Sequence, residues 1–160
     1  MTKKTNIEQP LLVPVDFSVH SETALLYACE LSERLKIPLL VLHVVHDPAE
    51  MPGYYSQVTK KKHLVRLEDA AAEMLDDFLK EIAEKYPKCK LLRNLESMLV
   101  VGLPVTRILE VAKMVNATMI VMGSRGRTGL DHLMLGSKAE QVVRLSPLPV
   151  LIVKGGEDTP

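Results

Sequence analysis

Residues 122 to 141, MGSRGRTGLDHLMLGSKAEQ, hold four of the chain's eight glycines. Glycine lets the backbone take positive φ and lets a bulky ligand approach the peptide N–H groups with no side chain between. Gly136-Ser137 stands where a helix-like run, SKAEQVVRL, begins. Free amides and the helix dipole would face an anion there, and Ser137 adds a hydroxyl donor. Arg125, Arg127 and Lys138 add local positive charge. The chemistry this suits is recognition of a phosphorylated ligand, in preference to a neutral one. A second reading stays open, in which the glycines only let the chain take a tight path between two elements.

The common phosphate signatures are absent. A Walker A loop needs G-x-x-x-x-G-K-[ST], and Asp131 stands where its first glycine belongs; G-x-G-x-x-G is missing too. What stands is G-x-x-G, nine residues, then G-S, formed by Gly123, Gly126, Gly136 and Ser137.

Other reactive side chains give weaker patterns. Asp16, in Asp16-Phe17-Ser18, suits a helix cap, a role compatible with ligand contact. His43-x-x-His46-Asp47 has metal-capable groups, but a strand turns positions 43 and 46 to opposite faces, so no metal site is expected. Lys60 to His63 suits a solvated helix start. Cys29 and Cys89 are far apart and outside any C-x-x-C pair, which supports neither a disulfide framework nor a zinc knuckle. Asp131 and His132 could position a water, but loop residues of this kind face solvent more often. No catalytic constellation of base, nucleophile and metal clamp stands out, so the residues lean against an enzyme without deciding the matter.

Alternating elements must position the glycine loop. LLVPV at 11 to 15 is apolar throughout, as a strand covered on both faces would be. Ala24, Leu25, Ala28, Leu31 and Leu35 recur at helical spacing behind Ser18 and Ser21, either of which could cap the helix. PLLVLHVV gives a second strand, ending near Val45, and residues 46 to 59 read as a long loop. Leu64, Leu67, Ala71, Met74, Phe78 and Ile82 mark a long amphipathic helix. A third strand is expected over 91 to 101. Pro104 then opens a helix with Ile108, Leu109, Val111, Ala112 and Val115 on its apolar face. ATMIVM at 117 to 122 and PVLIV at 149 to 153 are the fourth and fifth strands. Repeated strand-then-helix order predicts a doubly wound, five-stranded, mostly parallel α/β sheet with helices on both faces. Ligands bind such sheets beyond the strands' carboxyl ends, and the glycine loop follows one of those ends.

At 160 residues the chain has material for one domain, with 1–9 and 155–160 expected as flexible tails. Twenty basic and twenty acidic side chains cancel, so no field builds up for nucleic acid. No stretch suits a signal peptide or a membrane span, which leads to a cytoplasmic expectation. The short apolar last strand would leave an exposed sheet edge, from which a homodimer is expected.

The G-x-x-G-x9-G-S spacing resembles the ATP-binding branch of the universal stress protein family. LLVPVDFSVHSETAL is similar to the family's opening strand and helix, VLHVV to its second strand and VVGLP to its third-strand exit, so the likeness spans nearly the whole chain. It implies ATP as ligand, strengthened by Mg2+ through the phosphates, in a dimeric stress-response or signalling module whose protein partners are unknown. It also implies dimer pairing through the last strand. Branches lacking the glycine pattern are nucleotide-free, which makes an empty dimeric scaffold the alternative and a slow ATP-hydrolysing enzyme a third reading. Residue by residue, the resemblance sets Pro14, Val15 and Asp16 against adenine and ribose and Val44 against the base. Met122, Gly123, Gly126, Gly136 and Ser137 fall at ribose and phosphates, with Gly102 a looser match. Arg127 and Lys138 stand at variable positions, so a phosphate role for them rests on charge and proximity alone.

Overall fold

The computed structural model describes residues 7–46, 67–126 and 135–155. The leading strand β1 (Leu11–Pro14) is followed by α1 (Val19–Leu35), β2 (Leu39–Val45), α2 (Leu67–Lys85) and a 3-10 turn (Lys90–Asn94). Then come β3 (Glu96–Val101), α3 (Pro104–Met114), β4 (Met119–Gly123), α4 (Ser137–Leu145) and β5 (Val150–Val153). The five strands are parallel in the order β3-β2-β1-β4-β5. The winding runs outward from β1 in one direction and then restarts from β1 in the other, the topology of a doubly wound α/β fold.

Strand alternation sends two sets of side chains to opposite faces. Leu12, Leu40, Leu42, Val44, Ile120 and Met122 pack with α3 and α4 through Ile108, Val111, Ala139 and Val142. Val13, Val15, Val41 and Val121 pack with α1 and α2 through Ala24, Leu25, Ala28, Cys29, Leu75 and Ile82. Two helices therefore cover each face, which is why β2 is buried at all seven positions.

Local chemistry sets the boundaries. Ser18 caps α1, its Oγ accepting the Ser21 N–H at 3.2 Å, and Pro104 opens α3 at the position where a missing N–H costs nothing. The third strand is shorter than expected. Residues 90–94 form the 3-10 turn; in the register Leu40↔Glu96, residues 91–94 lie before the start of β2 at Leu39 and have no strand to join. Leu91, Leu92 and Leu95 instead bury against the α1–α2 core. Strand β4 starts two residues later than expected; Ala117 N–H closes the end of α3 on Ala112 O (2.8 Å) and Thr118 N–H donates to Pro10 O (2.9 Å).

In the expected N-terminal tail, Gln9 N–H donates to Val115 O (3.2 Å) and Gln9 O accepts from Thr118 Oγ1 (2.8 Å). Of the C-terminal one, Gly155 O lies 2.7 Å from His20 Nδ1. The expected features over 47–66, including most of the loop after β2, and over 156–160 lie outside the described residues.

Burial, with the neighbouring Cys89 second, pushes the Cys29 thiol up from 9.0 to about 12. The folded protein thus holds that proton through a range where the unfolded chain has lost it, so the group's contribution to stability is full below pH 9 and is lost as pH rises toward 12. Denaturant titrations across that range should show stability falling with pH, and less steeply in Cys29→Ala; equal slopes in the two proteins would contradict the assignment.

Candidate functional site

At the carboxyl ends of β1 and β4, where the winding reverses, lies a cavity of about 200 Å³. One wall is apolar: Val15 and Pro14 from β1 and its exit, Leu42 and Val44 from β2, Ile108 from α3 and Met122 from β4. The opposite rim is backbone and polar groups: Asp16, Gly123, Arg125, Gly126, and Gly136 through Lys138.

The rim exists because the two ends of the glycine loop meet. Gly136 N–H donates to Ser124 O at 2.8 Å, fastening the start of α4 to the exit of β4. A Cβ on Gly136 would stand 3.3 Å from both Arg125 Cα and Ser124 O, so the seam has little room for a side chain. Gly136 is also the N-cap of α4 and offers no side chain to its first amides. The expected freedom of φ is not what these positions use. Among the described glycines only Gly102 and Gly155 have positive φ, so Gly123, Gly126 and Gly136 serve close approach. At Gly123 the close neighbour is protein: a Cβ would lie 2.7 Å from His20 O, on the backbone of α1. At Gly126 it is the Asp16 carboxylate, 2.9 Å from the position a Cβ would take.

Asp16 is aimed by a corner of short bonds. Its Oδ1 accepts from Ser18 N–H (3.1 Å) and Ser18 Oγ (2.5 Å), so it props the capping serine while Ser18 makes the cap. Phe17 turns the corner at φ 65°, a left-handed conformation that costs a bulky residue about 1–2 kcal/mol. Its ring stacks on buried His43 at 4.3 Å and meets Phe78 edge-on at 5.4 Å. His43 Nδ1 lies 2.8 Å from Val15 O; a carbonyl only accepts, so that nitrogen carries the proton and the ring fastens β1's exit to β2.

Ten of the twelve residues expected at the site line this cavity: Pro14, Val15, Asp16, Val44, Met122, Gly123, Gly126, Gly136, Ser137 and Lys138. Gly102 does not. It sits at the exit of β3 with φ 143°, its N–H on Val45 O (2.9 Å), where its backbone conformation explains the glycine. Arg127, Asp131 and His132 lie outside the described residues. The lining also includes Ser21, Leu42, His43, His46, Pro104, Ile108, Arg125 and Ala139. Leu42 was findable as the position two before Val44 on the same strand face, and Pro104 and Ala139 as first-turn residues of helices that start at the strands' carboxyl ends. No group of three or more His, Cys, Asp or Glu able to hold a metal occurs among the described residues, and none of their helices is long and apolar enough to cross a membrane.

A parallel sheet of this order with its cleft at the switch point defines a Rossmann-like α/β protein. The chain belongs to the universal stress protein family, whose sequence profile matches residues 8–154. It is 28% identical over 158 residues to universal stress protein MJ0577 of Methanocaldococcus jannaschii, covering 90% of this chain and 93% of that protein. The solved structure of MJ0577 superimposes with a TM-score of 0.68 over 95% of this chain and 99% of that one, at 25% identity. Universal stress protein YxiE of Bacillus subtilis is 30% identical over 150 residues, 90% of this chain and 97% of that protein. The structure of UspA from Lactobacillus plantarum gives a TM-score of 0.69 at 25% identity, over 93% and 99% of the two chains.

Proposed function

We propose that this universal stress protein binds ATP in the cavity between β1 and β4 and acts in the cytoplasm as a nucleotide-dependent stress-response or signalling module. The observation that carries this reading is the seam between Ser124 and Gly136, which brings the exit of β4 and the uncapped amides of α4 to one rim opposite an apolar wall. An adenine suits the wall formed by Val15, Leu42, Val44 and Ile108. Asp16 suits ribose hydroxyls, because a carboxylate accepts from them. The backbone of Gly126 and Gly136, with Ser137 and Lys138, suits phosphates. Mg2+ would join through the phosphate oxygens, as it does where a protein supplies no cage of its own. Two universal stress proteins of this fold have been solved with adenine nucleotides, one with cAMP and one from Archaeoglobus fulgidus with dAMP, which makes that ligand class the first to try.

Calorimetric titration with Mg-ATP tests the proposal. Saturable binding tighter than about 1 mM is expected, and turnover well below about 1 per second. The competing reading is an empty dimeric scaffold, favoured by the cavity's volume of about 200 Å³, below the roughly 300–1,000 Å³ of most ligand pockets. Titration without saturation would select it.

We further propose a homodimer paired through β5, which is an edge of the sheet. The carbonyls of Pro149 and Val153 face β4, accepting from Ile120 and Ser124 N–H at 3.0 Å, so strand alternation turns the backbone groups of Val150 and Ile152 outward. Leu151 packs toward α1, and a charge there would damage the core as well as an interface. Ile152→Pro, which removes an outward N–H, is the cleaner variant. Light scattering should give twice 17.8 kDa for the parent and a shift toward 17.8 kDa for Ile152→Pro; a monomeric parent across micromolar concentrations would end the proposal.

A further inference from the structure

The end of α2 is pinned to the first turn of α1. Glu22 accepts from Lys85 Nζ at 2.6 Å and from Tyr86 OH at 3.2 Å, and Tyr86 O in turn accepts the Cys89 N–H at 3.1 Å. The turn 86–89 therefore rests on α1, with a groove between them lined by Leu26, Glu30 and Glu33 on one side and Tyr86, Lys88 and Cys89 on the other. Cys29 belongs to the same stretch of α1, one turn from Leu26 and Glu33, and is 1% exposed. Cys89 is half-buried and packs against the core cluster that contains Cys29. After burial, Cys89 is the strongest influence on the Cys29 thiol, and it meets α1 beside Leu26 and Glu33, which lie one turn either side of Cys29. Sixty positions apart in the chain, these thiols looked unrelated in the sequence; the fold makes them a pair.

We infer that Cys29 and Cys89 are a reversible oxidation site, closing to a disulfide between α1 and the turn after α2 when the protein meets a hydroperoxide. Cys89, which borders the groove, meets the oxidant first. It gives its proton to solvent, and its sulfur attacks one peroxide oxygen. The O–O bond breaks, leaving a sulfenic acid on Cys89 and releasing water or an alcohol. The Cys29 sulfur then attacks the Cys89 sulfur. The S–S bond forms, the S–O bond breaks, and the hydroxide departs with the Cys29 proton as water. Each sulfur is oxidised by one electron, and the two peroxide oxygens are reduced. Burial supports this order, since the Cys29 thiol, pushed up to about 12 and 1% exposed, is protonated and closed to the oxidant.

The full chain treated with hydrogen peroxide and measured intact, without reductant, should lose about 2 Da and regain it with dithiothreitol. Peptide mapping should join the Cys29 peptide to the Cys89 peptide. In Cys29→Ala, which keeps the core apolar, Cys89 should instead gain about 16 and then about 32 Da, the sulfenic and sulfinic increments. Cys89→Ser should leave Cys29 unmodified. A parent protein that gains about 32 Da at Cys89 with no cross-link, or that links Cys89 to Cys89 of a second copy, overturns the inference.

Discussion

Gly123→Ala is expected to destabilise the protein by about 2–3 kcal/mol, lowering its melting temperature by roughly 5–10 °C, whereas Gly126→Val should leave melting nearly unchanged and weaken Mg-ATP binding at least about tenfold, about 1.4 kcal/mol. The two glycines belong to one motif, but their surroundings differ in what can yield. An added Cβ at Gly123 meets His20 carbonyl O at 2.7 Å and carbonyl C at 2.8 Å, both backbone in the first turn of α1, so strand and helix must separate. At Gly126 it meets only the end of the Asp16 side chain at 2.9 Å, which can swing aside. That movement spares the fold and spoils the site, because the oxygen that must give way is Oδ2 while Oδ1 holds Ser18, and the valine covers the rim where phosphates would approach. Scanning calorimetry on both variants and Mg-ATP titration on Gly126→Val separate the two roles. Binding by Gly126→Val equal to the parent's would make the loop a connector.

His43→Leu should cost about 2–4 kcal/mol in denaturant unfolding, from a buried carbonyl losing its partner and a ring pair lost from the core. His43 is 2% exposed; its Nδ1–H serves Val15 O at 2.8 Å, and its ring supports Phe17 at 4.3 Å. Because Val15, Asp16 and Phe17 are consecutive, the same change should loosen the Asp16 corner and weaken Mg-ATP binding by more than the volume change at the wall explains. Phe17→Leu keeps the Val15 hydrogen bond and should cost less stability. Equal losses in the two variants would show that the ring pair, and not the bond to Val15, holds the corner.

What the sequence made legible is the part governed by periodicity and local chemistry. Leu12, Leu40 and Leu42 announced buried strands by their unbroken apolar runs, and Gly136-Ser137 announced a helix start that the structure places at the rim. Contacts between distant segments were not legible. Residues 91 to 94 looked like the start of a strand, and only the starting point of β2 shows that they have no strand to pair with. Gly123 looked like a phosphate glycine, but its tightest constraint is a helix backbone more than a hundred positions earlier. His43 looked like a stray metal-capable residue, and its use depends on where β1 ends beside β2. Gly102 matched the family pattern by position, yet it is accounted for by its own positive φ and lies off the cavity.

The place of β1 has a consequence for how the chain comes off the ribosome. It is made first but lies in the middle of the sheet, with β2 on one side and β4 on the other. The pairing with β2, and of β2 with β3, joins strands that are neighbours in sequence and can form during synthesis. The other side of β1, from Leu11 to Leu12, must wait for Met119 and Ile120, and until then it is an open strand edge in a half-built sheet. The cavity lies across that late seam, so it is among the last features of the molecule to be completed. A nascent chain stalled before residue 119 would therefore carry a partly formed sheet with no cavity and an apolar strand edge that other chains, or a chaperone, could reach.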